Sequence, residues 1–234
     1  MKDLYIRGVR GVRSGLDSAG LLDPLDRWAA RSDAGAWARS LLAVYDLHDL
    51  IALDVPWWTY EAAGKVARFL ASRDDARVLE WGSGASSVWL ARRAGSVTSI
   101  EHDPAWAEEI GPVLPSNAQV IAVPPTLASQ SSEPIRSAKK GFEGLDFRDY
   151  VEAIDRQHGD FDLVVVDGRA REACLARAID RVVPGGMIVV DNVERARYRA
   201  AIERLGTRVT VDWTSGLTPS LPYPTRTALL RLEA

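Results

Sequence analysis

The sequence predicts an α/β fold with a doubly wound, mostly parallel seven-stranded sheet, a C-terminal antiparallel hairpin and an N-terminal helical extension. Five short apolar runs alternate with helix-like stretches, and two of these runs are almost continuous in Val, Ile and Leu. Two further runs near the C-terminus alternate apolar and polar residues. Strands that alternate with helices form parallel sheets with right-handed crossovers. A chain of 234 residues is long enough for one such core.

The first 54 residues are predicted to be helical. Apolar residues recur there at spacings of three and four, as on one face of a helix. These residues are Trp28, Trp37, Leu41, Leu42, Val44, Tyr45, Leu47, Leu50 and Ile51. The periodicity changes after this stretch, which divides the chain into a helical extension (1–54) and an α/β domain (55–234) that together form a single compact unit. The extension is a candidate contact in a homodimer or a wall of a ligand pocket.

The central runs are predicted to be parallel strands over residues 77–81, 96–102, 119–123, 161–167 and 186–191. The fourth and fifth read FDLVVVD and GMIVVD, a composition typical of strands covered by helices on both faces. Stretches 87–94, 104–113, 147–157 and 171–183 are long enough for the crossover helices.

The C-terminal part of the chain is predicted to be an antiparallel hairpin. Residues 208–214 and 225–232 alternate apolar and polar side chains, and a Gly/Pro-rich link joins them. A parallel crossover needs a dozen or more residues and usually a helix, so two strands joined by this link must be antiparallel.

Residues 124–145 interrupt the regular alternation. They contain PP, SQSSEP and KKGFEG, which are too polar and too rich in turn residues for a core element. A structureless insert of this length in a compact domain is usually a functional lid or a disordered loop.

Composition predicts a cytoplasmic protein. The formal net charge of −3 gives no electrostatic reason to expect a nucleic acid as partner. The sequence contains no apolar run of about 20 residues, so no membrane association is expected, and the N-terminal residues lack the apolar core of a signal peptide. The single cysteine, Cys174, suits a reducing compartment and is predicted to be a small core residue on a helix rather than a nucleophile.

The clearest motif is VLEWGSGASS at residues 78–87. Gly82 and Gly84 allow the backbone to approach a ligand at the start of the next helix. Ser87 takes the place of the third glycine of the dinucleotide fingerprint. Glu80 would repel a diphosphate, whereas it would attract a cationic sulfonium or ammonium group directly or through water. Alternatively, Glu80 is a partner of the helix dipole or a solvated charge.

The next predicted strand ends in SIEHD, with Glu101 about twenty residues after Glu80. An acid at this distance can accept both hydroxyls of a ribose, as in NAD-binding proteins, so it indicates a nucleoside without selecting the cofactor. His102 follows and is predicted to touch an adenine or solvent; the alternative is a catalytic base.

Five segments together resemble class I S-adenosylmethionine-dependent methyltransferases. They are PWWTY (56–60), VLEWGSGASS, SIEHDPAW (99–106), FDLVVVDGR (161–169) and PGGMIVVDN (184–192), and the resemblance covers roughly residues 56–232. The tripeptide DGR (167–169) and the dipeptide DN (191–192) resemble those of small-molecule O-methyltransferases. The resemblance implies cofactor contacts at Glu80, Gly82 and Glu101, with Ser83, Gly84 and Asp167 lining the same cleft.

The same resemblance implies that Trp57, Thr59 and Tyr60 cover the methionine end of the cofactor. The alternative is a tryptophan cluster that packs the first helix onto the sheet.

Asp167, Asp191 and Asn192 end two neighbouring predicted strands. Such hard oxygen donors suit Mg²⁺ or Ca²⁺, and the pattern resembles the metal triad of catechol-type O-methyltransferases. That resemblance implies catalytic roles for Asp167 and Asp191, with a metal that activates the acceptor hydroxyl. Ala170 stands where that family has a lysine. The alternative is that Asp191 and Asn192 orient the substrate or cap a turn without a metal.

These observations predict an enzyme that transfers a methyl group from S-adenosylmethionine to a small-molecule acceptor, with a hydroxyl oxygen as the first candidate and a divalent metal as a candidate assistant. The rivals are an NAD-dependent oxidoreductase on a related sheet and a non-catalytic S-adenosylmethionine-binding module. N-methylation and a protein acceptor stay open at this point.

Overall fold

The computed structural model describes residues 2–43 and 47–232, without the side chains of residues 2–7 and 10. Val44 and Tyr45 of the predicted helical pattern lie outside the described residues. The helices are α1 (Lys2–Ser18), α2 (Leu22–Ala29), α3 (Asp33–Ser40), α4 (Leu47–Ala52), α5 (Tyr60–Ala71), α6 (Ala85–Ala91), α7 (Pro104–Ile110), α8 (Arg148–Glu152), α9 (Arg171–Ala178) and α10 (Ala196–Glu203). The strands are β1 (Arg77–Trp81), β2 (Ser96–Glu101), β3 (Ala118–Ala122), β4 (Thr126–Leu127), β5 (Leu145–Asp146), β6 (Phe161–Val166), β7 (Val182–Asp191), β8 (Val209–Gly216) and β9 (Thr225–Leu232).

Seven of the strands form one sheet in the order β3-β2-β1-β6-β7-β9-β8. The pairs among β3, β2, β1, β6 and β7 are parallel, whereas β9 runs antiparallel to both β7 and β8. The predicted fold class is therefore confirmed, including the C-terminal antiparallel hairpin. The strand order reverses direction between β1 and β6, and ligands bind at such a switch point beyond the carboxyl ends of the strands.

The central strands are buried on both faces, which explains their continuous apolar composition. Alternate residues of β6, Val164 and Val166, pack with α8, α9 and α10 on one face. Leu163 and Val165 pack with α5 and α6 on the other face. Cys174 of α9 is fully buried in the first of these layers, as predicted for a core residue.

The sequence analysis predicts neither α5 nor α10, although both helices pack into the core. Helix α10 buries Tyr198, Ala201 and Ile202, which recur at the helical spacing of three and four. Two arginines of the helix, Arg197 and Arg199, interrupt that pattern in the sequence, so the narrow apolar stripe gives no clear periodic signal.

Helix α3 of the N-terminal extension packs against the link of the hairpin. The indole nitrogen of Trp37 on α3 donates to the carbonyl of Leu221 at 2.8 Å. Ser220 donates two hydrogen bonds to Ser40, from its N–H to the Ser40 hydroxyl at 2.9 Å and from its hydroxyl to the Ser40 carbonyl at 3.0 Å. The division of the chain at residue 54 stays a prediction. None of the helices within residues 2–43 and 47–232 is long and apolar enough to cross a membrane.

The insert is organised, so the expectation of a structureless segment at 124–145 is wrong. Strands β4 and β5 pair antiparallel at its two ends. The carboxylate of Asp146 accepts the N–H of Ile135 at 2.8 Å and the N–H of Arg148 at 2.9 Å. Phe142 packs against the core layer that contains α8 and α9. These anchors hold the polar loop in place, and the predicted lid role is untested.

Candidate cofactor-binding cleft

The ends of β1, β6 and β7 place a row of residues across the switch point of the sheet. Gly82 follows β1, Asp167 follows β6, and Asp191 is the last residue of β7; the register of the sheet brings them side by side. On the far side of this row, Thr227 of β9 pairs with Asp191. Four of the predicted site residues, Gly82, Glu101, Asp167 and Asp191, thus lie at the same edge of the sheet.

The glycine turn after β1 crosses the turn after β6 in direct contact. Gly82 has a φ of +99°, and a Cβ added there would lie 2.9 Å from the Cα of Gly168. Gly168 itself has no room for a side chain, because a Cβ there would lie 2.0 Å from the Tyr150 hydroxyl oxygen. The N–H of Asp167 donates to the Trp81 carbonyl at 3.1 Å. Both glycines are therefore required for the backbone of β1 to meet the backbone of β6.

Glu101 lies at the end of β2 and binds the glycine turn. One carboxylate oxygen, Oε2, accepts both the N–H and the hydroxyl of Ser83 at 2.9 Å. The other, Oε1, accepts the N–H groups of His102 and Asp103 at 2.8 and 2.9 Å. Burial raises the pKa of Glu101, but hydrogen bonds from His102, Asp103 and Ser83 outweigh it and hold the pKa below its ordinary value. Glu101 is therefore an ionised acceptor at neutral pH.

His102 lies between Glu101 and the insert. Its Nδ1 is 2.5 Å from Oε1 of Glu101. Its ring centre is 5.5 Å from that of Phe142 in the insert, and the guanidinium carbon of Arg169 lies 5.1 Å from the centre of the Phe142 ring. The insert thus covers the outer face of His102, the residue predicted to touch the adenine.

Glu80 points away from the cleft. Its carboxylate is fully buried and accepts hydrogen bonds from three serine hydroxyls: Ser87, Ser99 at 2.6 Å and Ser86 at 2.9 Å. Ser87 in turn accepts the N–H of Gly84 at 3.0 Å. The carboxylate of Glu80 therefore has no exposed surface for the predicted direct contact with a cofactor cation, and the predicted contact through water stays a prediction. The side chain lies beneath the turn and ties β1 and β2 to the start of α6.

Burial of Glu80 has a consequence for stability. Desolvation raises its pKa from 4.5 to about 7, because the opposing hydrogen bonds from the three serines are weaker than the burial penalty, and the charge of Asp167 raises it further. The folded protein therefore retains a proton on Glu80 at pH values where the unfolded chain releases it.

We expect stability to fall as the pH rises from about 5 to 8, and Glu80→Gln to flatten that slope. A pKa raised in the folded state adds stability below the unfolded value of 4.5, and this contribution is lost as the pH rises through about 7. The shift corresponds to roughly 2–4 kcal/mol in the free energy of unfolding. Urea denaturation at four pH values measures it. The exposed Glu143→Gln is the control, and parallel profiles for wild type and Glu80→Gln would contradict the prediction.

A buried arginine joins the ends of β6 and β7. Arg171, in the first turn of α9, is 6% exposed. Its Nε donates to the Gly168 carbonyl at 3.1 Å and its Nη1 donates to the Asp191 carbonyl at 2.6 Å. Its Nη2 donates to both the carbonyl and the Oδ1 of Asp167, each at 2.7 Å. Every nitrogen of this guanidinium thus donates a hydrogen bond at the ends of β6 and β7. We call the residues there that were predicted to hold a metal, Asp167, Asp191 and Asn192, the rim of the cleft.

The two aspartates of the rim differ in their surroundings. Burial raises the pKa of Asp167, and the charge of Arg171 opposes this rise. Burial, followed by repulsion from Asp167, raises the pKa of Asp191 to about 8, against the opposing effect of Arg171. Asp167 has the direct ion pair with Arg171, whereas the Arg171 guanidinium meets Asp191 only at its backbone carbonyl.

The donor set at the rim does not fit a divalent cation. Oδ1 of Asp191 accepts the Thr227 hydroxyl at 2.7 Å, and Oδ2 accepts the amide of Asn192 at 2.5 Å. Asp167 is paired with Arg171, whereas Ca²⁺ takes six to eight oxygen ligands and Mg²⁺ needs near-ideal octahedral geometry. Within the described part of the chain, no group of three or more His, Cys, Asp or Glu side chains could hold a metal ion. Asp167, Asp191 and Asn192, paired as they are here, therefore do not form a metal site.

The PWWTY segment attaches α5 to the hairpin. Thr59 is fully buried and caps α5 by accepting the N–H of Ala62 at 3.2 Å, and its hydroxyl lies 2.8 Å from that of Thr214 on β8. The N–H of Tyr60 donates to the Leu217 carbonyl at 3.1 Å. Thr59 therefore caps α5, and its predicted role as a cover over the cofactor stays a prediction.

The remaining aromatic residues of this segment differ in exposure. Trp57 is 41% exposed, so it alone of the three predicted cover residues presents a large exposed surface. Burial raises the pKa of Tyr60 to about 12. Trp58, which was not predicted to be functional, is fully buried beside Trp89. Its indole N–H is buried and has no hydrogen-bond partner among the described residues.

Comparison with known proteins identifies the fold. No protein-family model matches the chain, and no curated protein matches its sequence. An O-methyltransferase from Bacillus cereus, solved in complex with SAH, is 19% identical and has a TM-score of 0.57, with coverage of 89% of this chain and 100% of that chain. The O-methyltransferase TomG from Streptomyces achromogenes, solved in complex with SAM, is 21% identical with a TM-score of 0.57, and coverage is 83% and 90%.

An rRNA methylase from Streptococcus thermophilus is also similar, at 12% identity and a TM-score of 0.50, with coverage of 73% of this chain and 95% of that chain. The chain therefore has the fold of class I S-adenosylmethionine-dependent methyltransferases. Because that fold is shared by proteins named for different acceptors, the acceptor has to be inferred from the site.

Proposed function

We propose that this protein transfers a methyl group from S-adenosylmethionine to a hydroxyl oxygen of a small molecule. The observation that carries the proposal is the ionised Glu101 carboxylate at the end of β2, bonded to the glycine turn of β1 and adjacent to the Asp167 rim. An acid at this position can accept ribose hydroxyls, and we propose that the neighbouring glycine turn and Asp167 hold the amino-acid end of the cofactor.

Glu101 already has its acceptor positions filled by the protein, since both oxygens accept hydrogen bonds from backbone N–H groups and Oε2 also accepts the Ser83 hydroxyl. The backbone donors fix the carboxylate in place. We propose that the ribose hydroxyls replace the two movable partners, the Ser83 hydroxyl and the His102 ring, which can rotate away without changing the backbone. His102 would then be free to contact the adenine.

Asp167 is the proposed partner of the cofactor's ammonium group. Its carboxylate is paired with Arg171, and it follows β6 at the point where the glycine turn crosses. This assignment gives Asp167 the role that the sequence suggested for Glu80, whose carboxylate lies beneath the turn. Glu80 contributes indirectly, because Ser87 links it to the N–H of Gly84.

The bound cofactor supplies a methyl group on a cationic sulfonium that needs no further activation. The protein therefore has to orient the acceptor oxygen in line with the methyl carbon, at about 3 Å, and exclude water. Asp191 and Asn192 border this position beside Asp167. We propose that Asp191 and Asn192 orient the acceptor. This is the alternative from the sequence analysis in which the two residues act without a metal.

A small-molecule acceptor suits the charge of the chain better than a nucleic acid does. The formal net charge is −3, and binding of a nucleic-acid backbone relies on clustered Lys and Arg. An NAD-dependent oxidoreductase is disfavoured by the antiparallel hairpin and by Ser87 in place of the third glycine. A non-catalytic S-adenosylmethionine-binding module is the remaining rival, and an activity measurement decides between them.

Ligand-induced stabilisation tests the cofactor. S-adenosylmethionine or S-adenosylhomocysteine at 100 times its Kd should stabilise the fold by about 2.7 kcal/mol, which corresponds to a rise in melting temperature of roughly 5–10 °C for a chain of this size. NAD and NADP should cause no change. Micromolar binding of NAD without binding of S-adenosylmethionine would reject the proposal.

Methyl transfer itself is tested by incubating the protein with methyl-labelled S-adenosylmethionine and a fractionated extract of small metabolites. Label in a methyl ether supports the proposed hydroxyl acceptor. Label in an amine would replace the proposed hydroxyl acceptor with an amine. Cofactor binding without any labelled product would support the non-catalytic S-adenosylmethionine-binding module.

A further inference from the structure

Arg171 occupies a central place at the rim of the cleft. It is one of few charged residues in the described chain that are almost completely buried. Its hydrogen bonds reach the backbone carbonyls of Gly168, Asp167 and Asp191 and the carboxylate of Asp167. It thus contacts the ends of two neighbouring strands and the turn between β6 and α9 at once.

A buried guanidinium requires strong compensation. Moving a charge out of water costs several kcal/mol, so a buried arginine persists where hydrogen bonds and an opposite charge satisfy it. Here Asp167 supplies the charge and three carbonyls supply the remaining acceptors. The planar fork of arginine can reach acceptors on several sides in a way that the single nitrogen of lysine cannot.

We infer, on the basis of the proposed function, that Arg171 supplies the positive charge at the rim of the cleft. It positions Asp167 for the cofactor and takes the place of a divalent metal. The acceptor is then methylated without chelation by a metal. Arg171 is a positioning residue, because its own nitrogens face the protein.

This inference narrows the class of acceptor. A metal at the rim would bind two adjacent substrate oxygens and lower the pKa of one of them. Arg171 cannot do so, since its donors are engaged with protein oxygens. The acceptor should therefore carry a single hydroxyl that ionises readily in water, such as a phenol, rather than depend on a pair of neighbouring hydroxyls.

Two measurements on the intact protein test Arg171. The first is the affinity for S-adenosylhomocysteine, measured by calorimetry for Arg171→Met, Arg171→Lys and the control Arg177→Met, which changes a half-exposed arginine of the same helix. We expect Arg177→Met to match the wild type, Arg171→Met to bind about 10- to 100-fold more weakly, and Arg171→Lys to recover part of the loss. If Arg171→Met does not fold, the affinity of Arg171→Lys tests the inference alone. Weaker binding than that of the wild type supports the inference, and wild-type affinity contradicts it.

A double variant separates positioning from a general structural role. If Arg171 acts through Asp167, then Asp167→Asn with Arg171→Met should bind no more weakly than Asp167→Asn alone. Additive losses in the double variant would overturn the positioning role, as would a folded Arg171→Met with wild-type affinity.

The second measurement is direct binding of Mn²⁺, followed by the electron paramagnetic resonance signal of the free ion, with and without S-adenosylhomocysteine. We expect no binding at the rim of the wild type up to millimolar Mn²⁺. Stoichiometric binding that Asp191→Asn abolishes would overturn the inference. If the wild type binds no S-adenosylhomocysteine, the proposed function fails, and the Mn²⁺ titration still decides whether Arg171 stands in place of a metal.

Discussion

Replacement of Gly82 with alanine is expected to destabilise the fold by about 3–5 kcal/mol and to abolish measurable cofactor binding. Gly82 has a φ of +99°, and non-glycine residues in such conformations cost about 1–3 kcal/mol. The added Cβ would also lie 2.9 Å from the Cα of Gly168 and 3.0 Å from its nitrogen. These are backbone atoms, so relief requires β1 and β6 to separate, and overpacking of this kind costs a further 1–3 kcal/mol or so.

Gly84→Ala is the matched control for this prediction. Gly84 lies two residues further along the same turn, but its φ of 173° is ordinary extended backbone, and a Cβ there meets no atom within 4 Å. Its free energy of unfolding should therefore equal that of the wild type. Guanidinium denaturation and S-adenosylhomocysteine calorimetry on both variants make the comparison. A stable Gly82→Ala with wild-type affinity would show that the contact with Gly168 is not needed.

The sheet could be predicted because its signals are local and strong. The apolar runs of β6 and β7 are continuous, since both faces of these strands are covered. The hairpin follows from the short link between two alternating runs. In contrast, the apolar stripe of α10 is interrupted by arginines, and periodicity alone does not reveal it.

The orientation of Glu80 depends on which face of the sheet it occupies. Side chains alternate along a strand, so Glu80 shares a face with Val78, which packs under the layer of α5 and α6. Ser86 and Ser87 lie on α6, and Ser99 is the β2 residue that pairs with Glu80. The sequence contains all four residues, but only the packing of α6 on that face shows that they meet.

The ion pair of Arg171 with Asp167 is not predicted by helix spacing. Arg171 stands four residues after Asp167, but α9 begins only at Arg171, so the two residues are not on one helix. The rim was predicted from its oxygen atoms alone, and repulsion between two carboxylates requires a cation, a proton or hydrogen-bond donors. The structure supplies a guanidinium for Asp167 and two hydrogen-bond donors for Asp191.

The contact between the insert and His102 could not be predicted. Phe142 is separated from His102 by 40 residues of sequence, and the polar residues around it give no periodic signal. The insert is anchored by a strand pair of two residues on each side and by the side chains of Asp146 and Phe142, rather than by a long regular element. Long loops take their conformation from such isolated contacts.

Glu101→Ala should weaken the binding of S-adenosylmethionine by roughly 2–4 kcal/mol, which is about 30- to 1,000-fold. The proposed contact with two ribose hydroxyls accounts for part of the loss, because hydrogen bonds to a charged acceptor are the stronger kind. The remainder arises within the protein. The N–H groups of Ser83 and Asp103 lose their acceptor, and the glycine turn is then no longer held at the end of β2.

The two contributions can be separated by comparing Glu101→Ala with Ser83→Ala. Ser83→Ala removes the hydroxyl that donates to Oε2 but keeps the N–H and the carboxylate. If the ribose replaces that hydroxyl on binding, Ser83→Ala should bind the cofactor at least as tightly as the wild type. Glu109→Ala, an exposed acid on α7, serves as the control for loss of charge. Unchanged cofactor affinity in a folded Glu101→Ala would reject the assignment of Glu101 to the ribose, whereas weaker binding by Ser83→Ala would show that the hydroxyl itself contacts the cofactor.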